Sequence, residues 1–170
     1  MDLQRYFVEL ARYHEWATRR LFDQHLATLS EEHWYCDTSL FFHSIHGTLN
    51  HLLVTDNTWH ARFAEGLSPR TPLDAELHVD RGALCEALIA AVGRWAPWIE
   101  SLASSRFDGD LVYTRNNGQT VRVPFAAALG HVFNHATHHR GQISAGLTAM
   151  GLAGPELDWV YKLQQEVKPS

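Results

Sequence analysis

The sequence contains few cysteines and no excess of basic residues. Its 170 residues include two cysteines, Cys36 and Cys85, which are too few for a disulfide framework and form no CxxC motif. We interpret both as small buried hydrophobic residues. Lysine and arginine total 14 against 19 aspartate and glutamate residues, so the formal net charge is -5. A chain with no basic stripe is not expected to bind nucleic acid.

Long apolar runs are also missing. No run approaches the roughly 18 residues that a membrane-spanning helix requires, and the opening residues MDLQRYFVEL lack the layout of a signal peptide. We therefore expect no membrane partner and a cytoplasmic location. The composition is that of a globular protein, with 45% hydrophobic and 19% charged residues. The length predicts a single domain over residues 1–170.

Apolar residues recur at helical spacing along most of the chain. Four long segments show this period, at about 3–28, 39–65, 78–103 and 124–150, and a short helix is predicted at about 155–166. Before the fourth segment, DLVYTRNNGQTVRVP alternates at period two around Asn-Asn-Gly, which is typical of a β-hairpin with a two-residue turn. The predicted fold is all-α: a four-helix bundle with a small β-hairpin before helix 4 and a short C-terminal helix.

Histidine is the residue that the sequence has in excess. Four of its 12 histidines lie within residues 131–139, in the stretch HVFNHATHHRGQ. His139 occupies a core position of the heptad seam, and His135 lies one turn earlier on the same face. An i, i+4 histidine pair can bind one metal ion, and a buried imidazole without a partner is costly. The alternative is a set of core histidines hydrogen-bonded to the backbone or to polar side chains.

A third metal ligand must come from another helix. The candidates are His14 in the first segment and four histidines of the second, His43, His46, His51 and His60. His51 is favoured because it lies in the apolar run LNHLLV beside the buried stripe, and the others are interpreted as surface or boundary residues. Three histidines without a fourth protein ligand leave one coordination position open, as in catalytic zinc sites. Nickel and iron also accept imidazole.

Polar neighbours of the histidines are assigned supporting roles. Gln142 is predicted to hydrogen-bond a ligand histidine or a substrate, with a polar boundary position as the alternative, and His138 is assigned a similar role. Asp56 interrupts the apolar face of the second segment, so we expect it to orient a histidine or to pair with an arginine. Arg140 is expected to face outward, at a subunit contact.

Several motifs together resemble those of the DinB/YfiT-like family. They occur in the family's order along nearly the whole chain: YHEWATRRL, HLLVTDNTW, NHATHHRGQ and GLAGPELDWVYKL. The resemblance implies a four-helix bundle with one divalent metal ion, commonly nickel or zinc, held by three histidines. Carried over by motif position, the metal ligands are His51, His135 and His139. Many members look dimeric, so the resemblance also implies a homodimer.

The resemblance further implies a class of reaction. Relatives include thiol-dependent isomerases and S-transferases, which suggests a metal-dependent transferase or hydrolase acting on a small molecule, with a low-molecular-weight thiol as co-substrate. One ligand can be a carboxylate in the isomerase relatives, so the all-histidine set weakens the case for isomerase activity. Two alternatives are a non-catalytic metal-binding or stress-response protein and a structural bundle whose histidines satisfy one another without metal.

Overall fold

Helices form most of the computed structural model, which describes residues 2–167. They are α1 (Leu3–Leu21), α2 (Glu31–Tyr35), α3 (Ile45–His60), α4 (Arg81–Gly93), α5 (Trp95–Glu100), α6 (Phe125–Ala149) and α7 (Trp159–Glu166). Two antiparallel strands, β1 (Asp110–Thr114) and β2 (Thr120–Pro124), precede α6. α1, α3, α6 and the α4–α5 pair pack as a four-helix bundle, which confirms the predicted fold class. Within residues 2–167, no helix has the length and apolar character needed to cross a membrane.

Short polar side chains determine where several helices begin. Each accepts a hydrogen bond from a backbone N–H in the first turn, and these caps are Asp2, Ser30, Ser44 and Asp80. The cap at Ser44 makes α3 begin at Ile45, so the predicted start near residue 39 was wrong. Ser39 and His43 have positive φ angles of 58° and 63°, a backbone conformation that an α-helix excludes.

The third predicted segment forms two helices. α4 ends at Gly93, α5 begins at Trp95, and the bend lies at Arg94. Pro97 cannot donate the N–H that would bond the carbonyl of Gly93, so the helix is interrupted there. The hydrogen bond from the N–H of Trp98 to the carbonyl of Arg94 (3.3 Å) resumes the helical pattern.

The hairpin loop is longer than the predicted two-residue turn. The N–H of Arg115 donates to the carbonyl of Gln119 (2.8 Å), which leaves residues 116–118 as a three-residue loop. Gly118 has a φ of +85°, as expected for the left-handed position of such a loop. The prediction of a hairpin was therefore correct and the prediction of its turn was wrong.

Two hydrophobic clusters fill the bundle, and buried polar side chains lie between them along the helices. One cluster contains Trp34 and Leu49, and the other contains Trp95 and Phe125. Most of the buried polar side chains come from α1, α3 and α6, and they include His14, His51, Asp56, His139 and Arg140. Burying polar groups is costly unless their hydrogen bonds are satisfied. These buried polar side chains therefore mark the candidate functional site.

The two cysteines are free and half-buried. Burial raises the pKa of the Cys85 thiol to about 11, so this side chain behaves as a small hydrophobic group beside the first cluster. The interpretation of the cysteines as buried was correct only in part, because both are half-buried.

Candidate metal centre

Three histidines predicted to be metal ligands face one another inside the bundle. The Nε2 atom of His135 lies 3.3 Å from Nε2 of His51 and 3.1 Å from Nε2 of His139. One ligand nitrogen from each residue lies within 4.8 Å of the other two. A tetrahedral zinc ion with Zn–N bonds of about 2.0–2.1 Å separates neighbouring ligands by about 3.3 Å. The spacing of the nitrogen atoms therefore suits one metal ion.

Local helix geometry and packing position these side chains. His135 and His139 are four residues apart in α6, so they project from one face. His51 lies on α3, whose residues are buried on nearly all sides. The ring of Phe42 stacks on the His51 ring at a centroid distance of 3.8 Å and lies 5.7 Å from that of His139. Phe42 thus forms an apolar wall against which the imidazoles are held.

Hydrogen bonds outside the cluster orient two of the imidazoles. Nδ1 of His51 donates to the carbonyl of Leu73 (2.7 Å), and Nδ1 of His139 donates to Oε1 of Gln142 (2.7 Å). A carbonyl oxygen can only accept, so each Nδ1 carries the proton and each Nε2 presents its lone pair to the cluster. This arrangement is the usual support of metal-binding histidines.

Gln142 and His138 occupy different positions relative to the cluster. Gln142 contacts the cluster directly through its hydrogen bond with His139. Its Nε2 also donates to Nε2 of His138 (3.2 Å), which is exposed to solvent. His138 is therefore one hydrogen bond further from the cluster than Gln142.

The environment of the cluster keeps its imidazoles neutral. Burial lowers the pKa of His135 to about 3, and the neighbouring histidines add to this effect. Burial also lowers the pKa of His139 to about 4, although the hydrogen bond to Gln142 opposes it. The pKa of His51 is lowered by burial as well. Metal ligation requires neutral imidazole, so these side chains are ready to bind a cation.

The metal-free protein is expected to lose stability as the pH falls below about 6.5, where histidines of the unfolded chain take up protons. Folded His135 and His139, with pKa values of about 3 and 4, stay neutral in this range. The unfolded state then binds more protons, so the free energy of unfolding falls by at most about 1.4 kcal/mol per pH unit for each histidine. Above about pH 7 this contribution is constant.

Urea unfolding of the chelator-treated protein between about pH 5 and pH 8 measures this slope. The His135→Ala variant is expected to have a shallower slope than the parent protein. His138→Ala is the matched control on the same helix, because His138 is exposed, and it should change the slope less than His135→Ala does. Equal slopes in His135→Ala and the parent would contradict the assignment of the slope to the cluster.

A cavity of about 340 Å³ adjoins the cluster and is lined in part by His51 and His135. Its walls come from α3 and the turn that follows it, the loop after that turn, the hairpin and α6. The lining residues are His51, Thr55, Thr58, Trp59, Arg62, Thr71, Leu73, Tyr113, Arg115, Asn116, His131 and His135. A concave space of this size beside polar groups is typical of a small-molecule site.

A buried ionic network lies next to the cluster and was only partly predicted. Asp56 accepts hydrogen bonds from Nε1 of Trp95 (2.7 Å) and from Nε2 of His14 (3.3 Å). Arg140 donates to Nδ1 of His14 (2.7 Å). The expectation that Asp56 orients a histidine is confirmed. The expectation that Arg140 faces outward was wrong, because its side chain is 2% exposed and packs between α1 and α6.

Among the candidate third ligands, His51 joins the α6 pair and the others have different environments. His14 is buried in the ionic network, and His43 is exposed. His60 packs edge-on against Trp95. The interpretation of His14 and His46 as surface or boundary residues was wrong, because both are buried.

His46 has a structural environment of its own. Its Nδ1 accepts a hydrogen bond from Nε1 of Trp34 (2.9 Å), and its Nε2 donates to Oε1 of Glu76 (2.8 Å). Both ring nitrogens are therefore occupied. The sequence contained no local signal for these partners, since Glu76 lies 30 residues away along the chain.

The fold and the cluster define a helical-bundle protein with three converging histidines in its interior. The chain belongs to the DinB family, whose model matches residues 1–168. It is similar to Protein DinB of Bacillus subtilis (strain 168), with 24% identity over 157 residues that cover 89% of this chain and 90% of the relative. No solved structure matches the chain. The family resemblance drawn from the sequence motifs is therefore confirmed.

Proposed function

We propose that the protein binds one divalent transition metal ion through Nε2 of His51, His135 and His139. The observation that carries this proposal is the pair of short contacts between Nε2 atoms, at 3.3 and 3.1 Å. A single proton on Nε2 of His135 can point at only one of the other two Nε2 atoms, so the second contact would lack an aligned hydrogen bond. A cation satisfies all three nitrogen atoms at once.

The donor set favours particular metals. Imidazole nitrogen is a good ligand for zinc, nickel and iron, and a poor substitute for the oxygen ligands that magnesium and calcium require. The spacing of the nitrogen atoms agrees with the Zn–N bond lengths of a tetrahedral site, and the family resemblance favours zinc or nickel. The hydrogen bonds to Leu73 and Gln142 support metal ligation, since they hold the imidazoles of His51 and His139 in the ligating tautomer.

We further propose that the bound metal serves catalysis rather than stability alone. In residues 2–167 the cluster consists of three side chains, and the adjoining cavity gives a small molecule access to it. A metal with an open position lowers the pKa of a water molecule or a thiol and so supplies a nucleophile at neutral pH. The cavity walls bind and orient the substrate, and Phe42 excludes water from the opposite side of the His51 ring.

The family resemblance supports a low-molecular-weight thiol as co-substrate in a transfer reaction. A thiol and a small electrophile would have to share the cavity beside His51 and His135. A non-catalytic metal-binding protein is the alternative, and it requires that no exogenous molecule reach the metal.

Metal analysis tests the first proposal. Untagged protein is stripped with a chelator, reconstituted with zinc or nickel, desalted and analysed by elemental mass spectrometry. We expect about one equivalent of metal per chain. A protein that retains no metal after reconstitution would show that the histidines satisfy one another without a cation.

Cobalt(II) substitution separates the catalytic from the non-catalytic alternative. Addition of 2-mercaptoethanol to the cobalt-loaded protein is expected to produce a thiolate-to-cobalt charge-transfer band, because an open coordination position accepts the thiolate. An unchanged absorption spectrum at saturating thiol would favour the non-catalytic metal-binding protein.

A further inference from the structure

The Arg62 side chain is an unpaired cation on the wall of the cavity. Its guanidinium lies over the rings of Trp59 and Tyr113, at 4.6 and 4.4 Å from their centroids. Its Nε atom is buried and has no hydrogen-bond partner. Within residues 2–167, no carboxylate lies within ion-pair distance of Arg62. A cation held in this way lacks the anion that usually accompanies a partly buried arginine.

A second arginine lines the same cavity. Arg115, at the start of the hairpin loop, contributes to the cavity wall together with Arg62. Burial lowers the pKa of the Arg62 guanidinium; the nearby Tyr113 opposes this effect, and the positive charge of Arg115 adds to it. Both side chains remain charged at neutral pH. Arg115 is exposed to solvent, and an anion bound in the cavity would offset the repulsion between the two positive charges.

The remaining lining residues leave the cavity electropositive. The described residues that form its wall include two arginines and no aspartate or glutamate. Burial lowers the pKa of each of its three histidines, so the positive charge comes from the arginines. The protein as a whole has the opposite sign, with a net charge of -5. The local excess of positive charge is therefore a property of this cavity and does not follow from the overall composition.

The cavity also has apolar walls suited to an organic molecule. Trp59, Leu73 and Tyr113 line it beside the arginines. Arginine presents a planar fork of N–H groups that matches a planar carboxylate, and contact with two aromatic rings restricts the motion of the fork. His51 and His135 line the same cavity. A molecule held at one end by the arginines would therefore have its other end near the histidine cluster.

We propose that this cavity binds a small organic carboxylate, whose carboxylate group is held by Arg62 and Arg115 while its apolar body lies toward the three histidines. The carboxylate is the class of substrate on which the proposed metal centre would act, and this catalytic role rests on the proposed function. The binding itself depends on the arginines and needs no metal.

Calorimetric titration with benzoate tests the proposal, and benzamide serves as the uncharged analogue of the same shape. We expect saturable binding of benzoate and at least about tenfold weaker binding of benzamide, since a charged hydrogen-bond pair is lost. Arg62→Gln and Arg115→Gln are each expected to weaken benzoate binding by about tenfold or more. Arg62→Lys retains the charge without the fork and should bind with intermediate affinity.

Arg122→Gln is the matched control, because Arg122 lies on the same hairpin but is exposed and paired with Asp110 (3.0 Å). Its benzoate affinity should equal that of the parent protein. Circular dichroism verifies that each variant is folded. The proposal would be overturned if benzoate fails to saturate the parent protein, if benzamide binds equally well, or if folded Arg62→Gln and Arg62→Lys both retain full affinity.

Titrations of metal-loaded and metal-free protein distinguish this proposal from the proposed function. Arginine-dependent binding of benzoate to a protein that retains no metal would support the anion site and refute the metal centre. Stoichiometric metal with benzoate binding that is insensitive to Arg62 and Arg115 would refute the anion site alone. Loss of benzoate affinity in Arg62→Gln with an unchanged metal content is the expected result.

Discussion

Alanine at His135 is expected to abolish stoichiometric metal binding under conditions in which the parent protein holds about one equivalent. His135 is the residue whose Nε2 contacts the Nε2 atoms of both other histidines, so its loss leaves two nitrogen atoms on different helices. His51→Ala and His139→Ala are expected to have the same effect. Elemental analysis after desalting measures the loss.

Two further variants of α6 are compared with the ligand variants. His138→Ala removes an exposed histidine of the same motif and is expected to retain about one equivalent of metal. Gln142→Leu removes the acceptor for Nδ1 of His139 and is expected to weaken metal affinity by about 10–100-fold, as is usual for a partner of a ligand. Retention of full affinity by His51→Ala, or its loss in His138→Ala, would contradict the assigned ligands.

Replacement of Asp56 by alanine is expected to lower the free energy of unfolding by about 3–5 kcal/mol. The carboxylate is 3% exposed and accepts hydrogen bonds from Trp95 and His14. Its charge compensates that of Arg140, which is 2% exposed and lies on the other side of His14. Without Asp56 the guanidinium becomes a buried charge with no counterion. Urea unfolding of the metal-free protein measures the change without a contribution from metal binding.

Asp110→Ala provides the control for Asp56→Ala. Asp110 forms an exposed ion pair with Arg122 (3.0 Å), and loss of such a pair costs at most about 1 kcal/mol. A double variant with Asp56→Ala and Arg140→Met is expected to be more stable than Asp56→Ala alone, since both buried charges are then absent. If Asp56→Ala costs no more than Asp110→Ala, the network does not compensate Arg140.

The helical framework could be predicted because it depends on local sequence periodicity. Apolar residues at spacings of three and four identified all four helical segments of the bundle, and Asn-Asn-Gly identified the hairpin. Errors occurred where a single residue changes the backbone, at Pro97 in the third segment and at the left-handed residues before α3. Such details depend on one or two dihedral angles, which periodicity does not report.

The sequence by itself determined the pairing of His135 with His139, because side chains four residues apart in one helix lie on the same face. It did not determine which other residues meet them. His51 is 84 residues from His135 along the chain, and Arg140 is 126 residues from His14. The cavity likewise joins Arg62, after α3, to Arg115 on the hairpin. These contacts arise only when the helices pack, because close packing in the core decides which distant side chains share a space and which charges are buried together.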